Sequence, residues 1–372
     1  MNWNYMQPVR IRFGNGLTSY LPEEIKILNG QNGLLITSAS FVKKGLSEKL
    51  CKMSGGTIKH VYGHVSANPD IMECETCTKI LRENSCDFVV ALGGGSVMDC
   101  ARAAATLCLT DEPVENYLAT GKQVPQAHLP LIAIPTTAGT GSEITCVSVL
   151  SDHRRGIKSP ITSNSFYPEV AIVDPELTYS VSPYMTACTG FDVLCHAIEA
   201  YWSIHHQPIC DALAVHAARL VFTHLLVACQ YPKDVTAREK MAEASVMAGL
   251  AFTLPKTTSA HACSYPLTNL LGMPHGEACA LTIAYFLRFN AKRGCCRIQS
   301  LAKELGYDDA NSLADAIEQL KIETGMRRDL KEYKLNDKQL EALVQGSKHP
   351  NLLNNPVIVS EEDLREMYNT MR

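Results

Sequence analysis

Four side chains in the second half of the chain stand at spacings that suit a metal ion. Asp192 and His196 are four residues apart in Phe191-Asp192-Val193-Leu194-Cys195-His196-Ala197-Ile198-Glu199. On a helix, that spacing puts both side chains on one face, one turn apart. His261 follows in Ser259-Ala260-His261-Ala262-Cys263, and His275 in Pro274-His275-Gly276-Glu277, beside a Gly/Pro-bearing turn. One carboxylate with three imidazoles is a donor set for a divalent first-row metal such as Fe(II) or Zn(II). Each histidine taken singly reads more simply as a hydrogen-bonded core residue. Taken as a group, the spacing brings the metal reading level with that alternative. The thiols Cys195, Cys263 and Cys279 are alternative soft ligands, and Cys195 is set aside because it lies one helical step off the Asp192/His196 face.

A second kind of chemistry is written in the first half. Gly93-Gly94-Gly95-Ser96 follows an apolar run and opens a helical stretch. Backbone N–H groups at such a turn, with the positive end of the helix dipole, suit a pyrophosphate, and glycines let the backbone approach it. The run is not the G-x-G-x-x-G fingerprint, and the plainer reading is a tight strand-to-helix turn. A second loop, Pro135-Thr136-Thr137-Ala138-Gly139-Thr140-Gly141-Ser142-Glu143, offers hydroxyls and amides to line the same nucleotide.

These groups need elements to position them. Gly33–Thr37, Asp87–Leu92, Leu131–Pro135 and Val170–Asp174 read as buried strands, with helices around Ser40 to Met53 and through Thr106. Strands alternating with helices imply parallel βαβ units. After about Pro183, apolar residues recur at helical spacing over Thr186–Trp202, Asp211–Cys229, Ala237–Phe252 and Ser312–Glu323. The expected fold is an α/β Rossmann-like parallel-sheet domain over residues 1–180, followed by an all-α metal-binding domain over 181–372.

Composition narrows the class. The chain has 372 residues, 46% hydrophobic and 19% charged, enough to bury a large core. A net charge of -4 gives no basic surplus for nucleic acid. The start, Met1-Asn2-Trp3-Asn4-Tyr5, lacks the features of a secretory leader, and no run is read as long enough to span a membrane. Fifteen scattered cysteines without zinc-ribbon spacing fit reduced thiols and a cytoplasmic setting. Cys74 and Cys77 form a C-x-x-C pair, but in a helix-like stretch without the surroundings of a redox enzyme.

The four quoted segments closely resemble the iron-containing (group III) alcohol dehydrogenase family. Gly93 to Arg102 matches its G-G-G-S-x-x-D-x-x-K turn, Pro135 to Glu143 its P-T-T-x-G-T-G-S-E loop, and Asp192 to Glu199 its D-x-x-x-H-A-x-E helix. His261 and His275 match its two later histidines, fourteen residues apart. The resemblance implies a hydride transfer between NAD, or NADP, and a small aldehyde or primary alcohol. It implies a ferrous or zinc ion on Asp192, His196, His261 and His275, with His275 and Tyr265 at the reacting centre. It assigns the cofactor to Ser38, Asn68, Gly93, Gly94, Gly95, Ser96, Asp99, Thr136, Thr137, Thr140, Ser142 and Lys158, and it implies a homodimer or larger homo-oligomer.

Three departures bear on this. The family's lysine is Arg102 here, which keeps the charge but not the geometry. Tyr265 stands where members often carry a proton-relay histidine. Thr37-Ser38 replaces the acidic residue of NAD-specific members, so nothing repels a 2′-phosphate. The tail Lys348-His349-Pro350-Asn351-Leu352-Leu353-Asn354-Asn355-Pro356 is similar to that of members reducing phosphonoacetaldehyde and sulfoacetaldehyde, and its amide and basic groups suit an oxyanion. The plainer reading of that tail is a capped loop before the last helix. General short-chain alcohol, 1,3-propanediol and glycerol dehydrogenases, and dehydroquinate synthases, share the architecture. A non-catalytic scaffold is the remote alternative.

Overall fold

The computed structural model describes residues 3–372, which fall into two compact units. Met1 and Asn2, part of the start read as carrying no leader, lie outside the described residues. The first unit runs over Met6–Thr137 and Ser142–Thr178. Its strands are β1 (Arg10–Phe13), β2 (Gly33–Thr37), β3 (Ile58–Tyr62), β4 (Phe88–Gly93), β5 (Leu131–Pro135), β6 (Val147–Asp152), β7 (Ile157–Thr162) and β8 (Val170–Val173). Its helices are α1 (Leu21–Ile27), α2 (Ala39–Lys43), α3 (Leu46–Met53), α4 (Ile71–Glu83) and α5 (Gly95–Leu107). Six strands form a parallel sheet in the order β1-β8-β5-β4-β2-β3, while β6 and β7 form a separate antiparallel hairpin.

Strands β2, β4, β5 and β8 are buried along their whole length, so their sequences are continuous apolar runs. The edge strand β3 alternates buried and exposed residues and carries Lys59 and His60, which hid it from a search for such runs. The β6–β7 hairpin was hidden likewise, being interrupted by serines, Lys158 and Pro160. The helix expected from Ser40 to Met53 is two short ones, broken at Gly45 in the left-handed region. From β2 the chain goes to β3 on one side, then to β4 on the other, so strand order reverses between β2 and β4. In doubly wound sheets that reversal, at the carboxyl ends, is where ligands bind. Thr37 lies opposite Leu92 in the ladder, so Ser38 and the glycine turn leave the sheet side by side.

The second unit comprises Tyr179–Arg372 with the short segment Ala138–Gly141 and residues 3–5. Its first helices are α6 (Pro183–Trp202), α7 (Pro208–Gln230), α8 (Val235–Phe252), α9 (Ser259–Leu271) and α10 (His275–Lys292), followed by further helices to Met371. Helix α6 starts where Ser182 accepts the Met185 N–H and Pro183 fills the first turn. It is buried on nearly every side, which explains its lack of a polar face. Contrary to the sequence reading, one stretch, α7, is long and apolar enough by composition to cross a membrane. In the structure it packs against α6 and α8, with Ala214, Ala217, Ala218, Val221 and Leu225 in the core.

One glycine sets the spacing of the metal helices. A Cβ on Gly276 would lie 1.9 Å from the Cys188 carbonyl oxygen and 3.1 Å from the Asp192 Cβ. Only glycine lets α10 begin this close to α6, and that approach brings His275 to Asp192.

Candidate metal centre and nucleotide loops

Asp192 lies in the middle of α6, and three imidazoles converge on its Oδ1. His261 Nε2 stands 3.5 Å away, His275 Nε2 3.8 Å and His196 Nδ1 3.9 Å. The His196 ring lies between Phe252, at 4.1 Å between centroids, and His261, at 4.5 Å. Asp192, His196 and His261 are almost wholly buried, whereas His275 is about one-third exposed and forms the open side of the cluster.

Two groups fix the imidazole tautomers. Glu199, one turn beyond His196, accepts from His261 Nδ1, and its other oxygen accepts from Thr258 Oγ1 and the Ala260 N–H, both at 2.7 Å. Thr258 gives α9 no side-chain cap, so Glu199 serves from another helix as the acceptor for its first N–H groups. Ser264 spends its hydroxyl proton on the His261 carbonyl and so accepts from His275 Nδ1 at 3.2 Å. In both rings the Nδ1 proton is committed, and the Nε2 lone pair faces Asp192.

Electrostatics draws positive charge to this point. Burial opposes the Asp192 charge, but His196, His275 and His261 together hold its carboxyl well below the ordinary range. Burial drives His196 down to about 3, which keeps the ring neutral. Asp192 Oδ1, His196 Nδ1 and His261 Nε2 are buried without a hydrogen-bond partner among the described residues. Buried polar atoms are nearly always paired, so three orphans facing one point fit a cation. The donor set is the mixed carboxylate and imidazole type that binds divalent first-row metals.

The nucleotide loops lie in the first unit. Gly94 caps α5 without a side-chain bond, leaving the N–H groups of Gly95 and Ser96 at the helix start. Asn68, in the left-handed region, donates its N–H to Ser96 Oγ at 3.3 Å, and Lys158 Nζ donates to Asn68 Oδ1 at 2.8 Å. Thr136 donates its N–H to the Gly93 carbonyl, and Thr137 lies against Gly94. Ser38 caps the short α2 beside this turn, with its hydroxyl 2.9 Å from Ser40 Oγ. Nine expected positions, from Ser38 and Asn68 to Lys158, are thus gathered at the switch point. Asp99 and Ser142 are turned differently. Asp99 accepts from Ser142 Oγ at 3.0 Å and from the Val149 N–H at 3.1 Å, tying α5 to β6. Thr140 belongs to the segment packed in the helical unit, where Gly141 at φ 57 sits so that a Cβ would be 2.8 Å from Gly249 Cα.

Residues 8–175 match the family described as iron-containing alcohol dehydrogenase, and residues 186–371 match the C-terminal part of the Fe-containing alcohol dehydrogenase family. The chain belongs to the iron-containing alcohol dehydrogenase family. It is an oxidoreductase of a family that works with NAD(H) and iron. Alcohol dehydrogenase 4 of Schizosaccharomyces pombe is 33% identical over 364 residues, 96% of this chain and 86% of that protein. A sulfoacetaldehyde reductase of Bilophila wadsworthia is 33% identical over 283 residues, 76% of this chain and 73% of that one. The crystal structure of sulfoacetaldehyde reductase from Bifidobacterium kashiwanohense in complex with NAD+ is 52% identical. It covers 100% of this chain and 99% of its own, with a TM-score of 0.98.

In this iron-containing alcohol dehydrogenase, the arginine at the family's lysine position points into the protein. Arg102 is buried and donates to the Thr145 and Val147 carbonyls at 2.8 and 2.7 Å, to Ser142 Oγ at 2.7 Å, and to the Ser142 carbonyl. It clamps the loop after β5, using the several donors of a guanidinium that lysine lacks. Tyr265 lies 6.5 Å from His275 between ring centroids and stacks on His349 at 4.4 Å. Of the oxyanion groups expected in the tail, Lys348 is paired with Glu361, and Asn355 is buried against Asn290 and Ser259. Asn351 and Asn354 anchor the loop on Thr257. The C-x-x-C pair lies buried in α4, and Cys77 Sγ is 3.9 Å from Cys100 Sγ; all fifteen cysteines are free thiols.

Sequence reasoning assigned no role to Glu199 or Ser264. Glu199 was visible as the last residue of the quoted helix motif, one turn past His196. Ser264 left no signal, because its partner depends on how α9 meets α10.

Proposed function

We propose that this enzyme reduces a small anionic aldehyde of the sulfoacetaldehyde or phosphonoacetaldehyde class to the primary alcohol, with NADH as hydride donor. The observation that carries the substrate class is the full-length, 52% identical likeness to the sulfoacetaldehyde reductase of Bifidobacterium kashiwanohense. The metal assignment is supported by the three orphaned buried atoms around Asp192. Asp192, His196, His261 and His275 hold Fe(II), or Zn(II), and that ion supplies Lewis acidity toward the carbonyl while reduced nicotinamide supplies the hydride.

The chain's own residues do the positioning. The N–H groups of Gly95 and Ser96 take the pyrophosphate, with Asn68, Ser96 and Lys158 as a bonded group beside them. Thr136 and Thr137 line the same turn, and Asp99 with Ser142 and Arg102 braces it from behind. Ser38 faces the ribose and, being uncharged, leaves NADP open. Tyr265 keeps its proton, because burial raises its phenol above the usual range. His349 Nδ1 accepts the Asn351 N–H, so in the neutral ring the proton sits on Nε2 as a donor for the anionic head. We read the protein as a cytosolic homodimer or larger assembly, with its many free thiols supporting a reducing compartment.

The test compares kcat/KM for sulfoacetaldehyde, phosphonoacetaldehyde and unsubstituted short aldehydes, each with NADH and NADPH. A preference of at least about tenfold for an anionic aldehyde, worth about 1.4 kcal/mol, is expected. Equal or better turnover of neutral aldehydes favours the short-chain alcohol dehydrogenase reading, which the likeness to the Schizosaccharomyces pombe enzyme supports.

A further inference from the structure

One thiol lies inside the donor cluster and has no part in the scheme above. Cys279 is one turn after His275 on α10, so the two side chains share a helix face. It is fully buried, and its Sγ is 3.9 Å from His275 Nε2. Asp192, His261, His275 and Cys279 each present one donor atom, and these four atoms all lie within 4.8 Å of one another. His196 is not in that compact set, although its Nδ1 is 3.9 Å from Asp192 Oδ1. Donors around a tetrahedral zinc ion, at ordinary metal–nitrogen and metal–sulfur lengths, stand about 3.3–3.6 Å apart. The spacings of 3.5, 3.8 and 3.9 Å between these donors are within a few tenths of an ångström of that. The orphaned lone pairs of Asp192 and His261 are a second and independent sign that something cationic belongs between these groups. The other thiols named as alternatives do not compete. Cys263 is not among the converging donors and lies beside Tyr368, whose hydroxyl donates to its carbonyl at 3.5 Å, and Cys195 is off the ligand face of α6.

We propose that Cys279 is a thiolate ligand of the metal ion, so that this centre has an Asp/His/Cys donor set suited to Zn(II) and Co(II) as well as iron. The inference rests on the metal site proposed above. On loading, the S–H bond breaks, a metal–sulfur bond forms and the proton leaves to solvent; no electron is transferred. A soft sulfur donor raises affinity for zinc relative to a purely oxygen and nitrogen set.

The experiment uses the full-length protein, stripped with a chelator and reloaded with Co(II), with bound metal counted directly. The expected result is one cobalt per chain and a near-ultraviolet thiolate-to-cobalt charge-transfer band. The band is lost in Cys279→Ser and Cys279→Asn at unchanged cobalt content and kept in Cys263→Ser. Zinc affinity of Cys279→Ser, by chelator competition, drops by more than the about 10–100-fold typical for losing an outer-shell partner. The wild-type spectrum needs no variant, so a misfolded substitution leaves the test intact. Stoichiometric cobalt without the band, or a band that persists in Cys279→Ser, overturns the thiolate assignment alone. Absence of cobalt binding in the wild type overturns the metal site with it.

Discussion

Replacing Glu199 by glutamine tests the idea that a group without direct access to the ion decides whether the site can form. The substitution keeps volume and shape but exchanges one acceptor oxygen for a donor NH2. In the folded protein both carboxylate oxygens accept, one from His261 Nδ1 and the other from Thr258 Oγ1 and the Ala260 N–H. If the amide nitrogen faces His261, two donors meet, and the ring must move its proton to Nε2, the atom 3.5 Å from Asp192 Oδ1. That removes the lone pair the ion needs. If the amide turns around, its NH2 meets the Ala260 N–H at the unbonded start of α9. The first orientation blocks the ion, and the second leaves one buried donor unpaired, a cost of about 1–3 kcal/mol. Metal affinity of Glu199→Gln is therefore expected to fall by about 10–100-fold, or about 1.4–2.8 kcal/mol. The assay is chelator competition on the full-length protein, read by bound metal, with thermal unfolding of the metal-free form alongside. At saturating metal, kcat recovers more fully than affinity does. Wild-type affinity in Glu199→Gln refutes the tautomer argument, and so does a loss of folding stability with affinity unchanged.

Two further outcomes follow from the packing. Gly276→Ala pushes a methyl into the Cys188 carbonyl, so α10 must shift away from α6; a stability loss of about 1–3 kcal/mol is expected together with weaker metal binding, checked by urea unfolding and metal titration. Burial raises the Glu143 carboxyl from 4.5 to about 7, with Arg102 only partly opposing it. A raised folded pKa means stability that is complete below the unfolded value and lost as pH rises through about 7. At about 1.4 kcal/mol per pH unit, the loss reaches about 3 kcal/mol. Wild type should therefore weaken relative to Glu143→Gln between pH 5 and 8, and parallel urea midpoints across that range contradict the assignment.

Legibility in the sequence followed the range of the interaction. The strand runs Gly33–Thr37 and Leu131–Pro135 could be read because every residue in them is buried, so composition alone marks them. Edge strand β3 and the β6–β7 hairpin face solvent in part, and their polar residues erased that mark. The Asp192/His196 pair was readable because a helix converts spacing into direction without outside help. Glu199 bonding to His261 spans sixty-two residues, and no local rule reports such a contact.

The sequence alone determined which residues could act: glycines opening α5, a carboxylate and imidazole one turn apart, and two later histidines beside a turn. Those features are local, fixed by backbone periodicity and by the steric freedom of glycine. Tertiary structure decided their environment. It turned Arg102 inward onto the loop after β5 and paired Lys348 with Glu361. It committed the Nδ1 protons of His261 and His275 to Glu199 and Ser264 and set Cys279 among the donors. The physical reason is that a side chain's partner, charge and tautomer depend on what distant segments bring within about 3–4 Å, and only the packing of α6, α9 and α10 sets that distance.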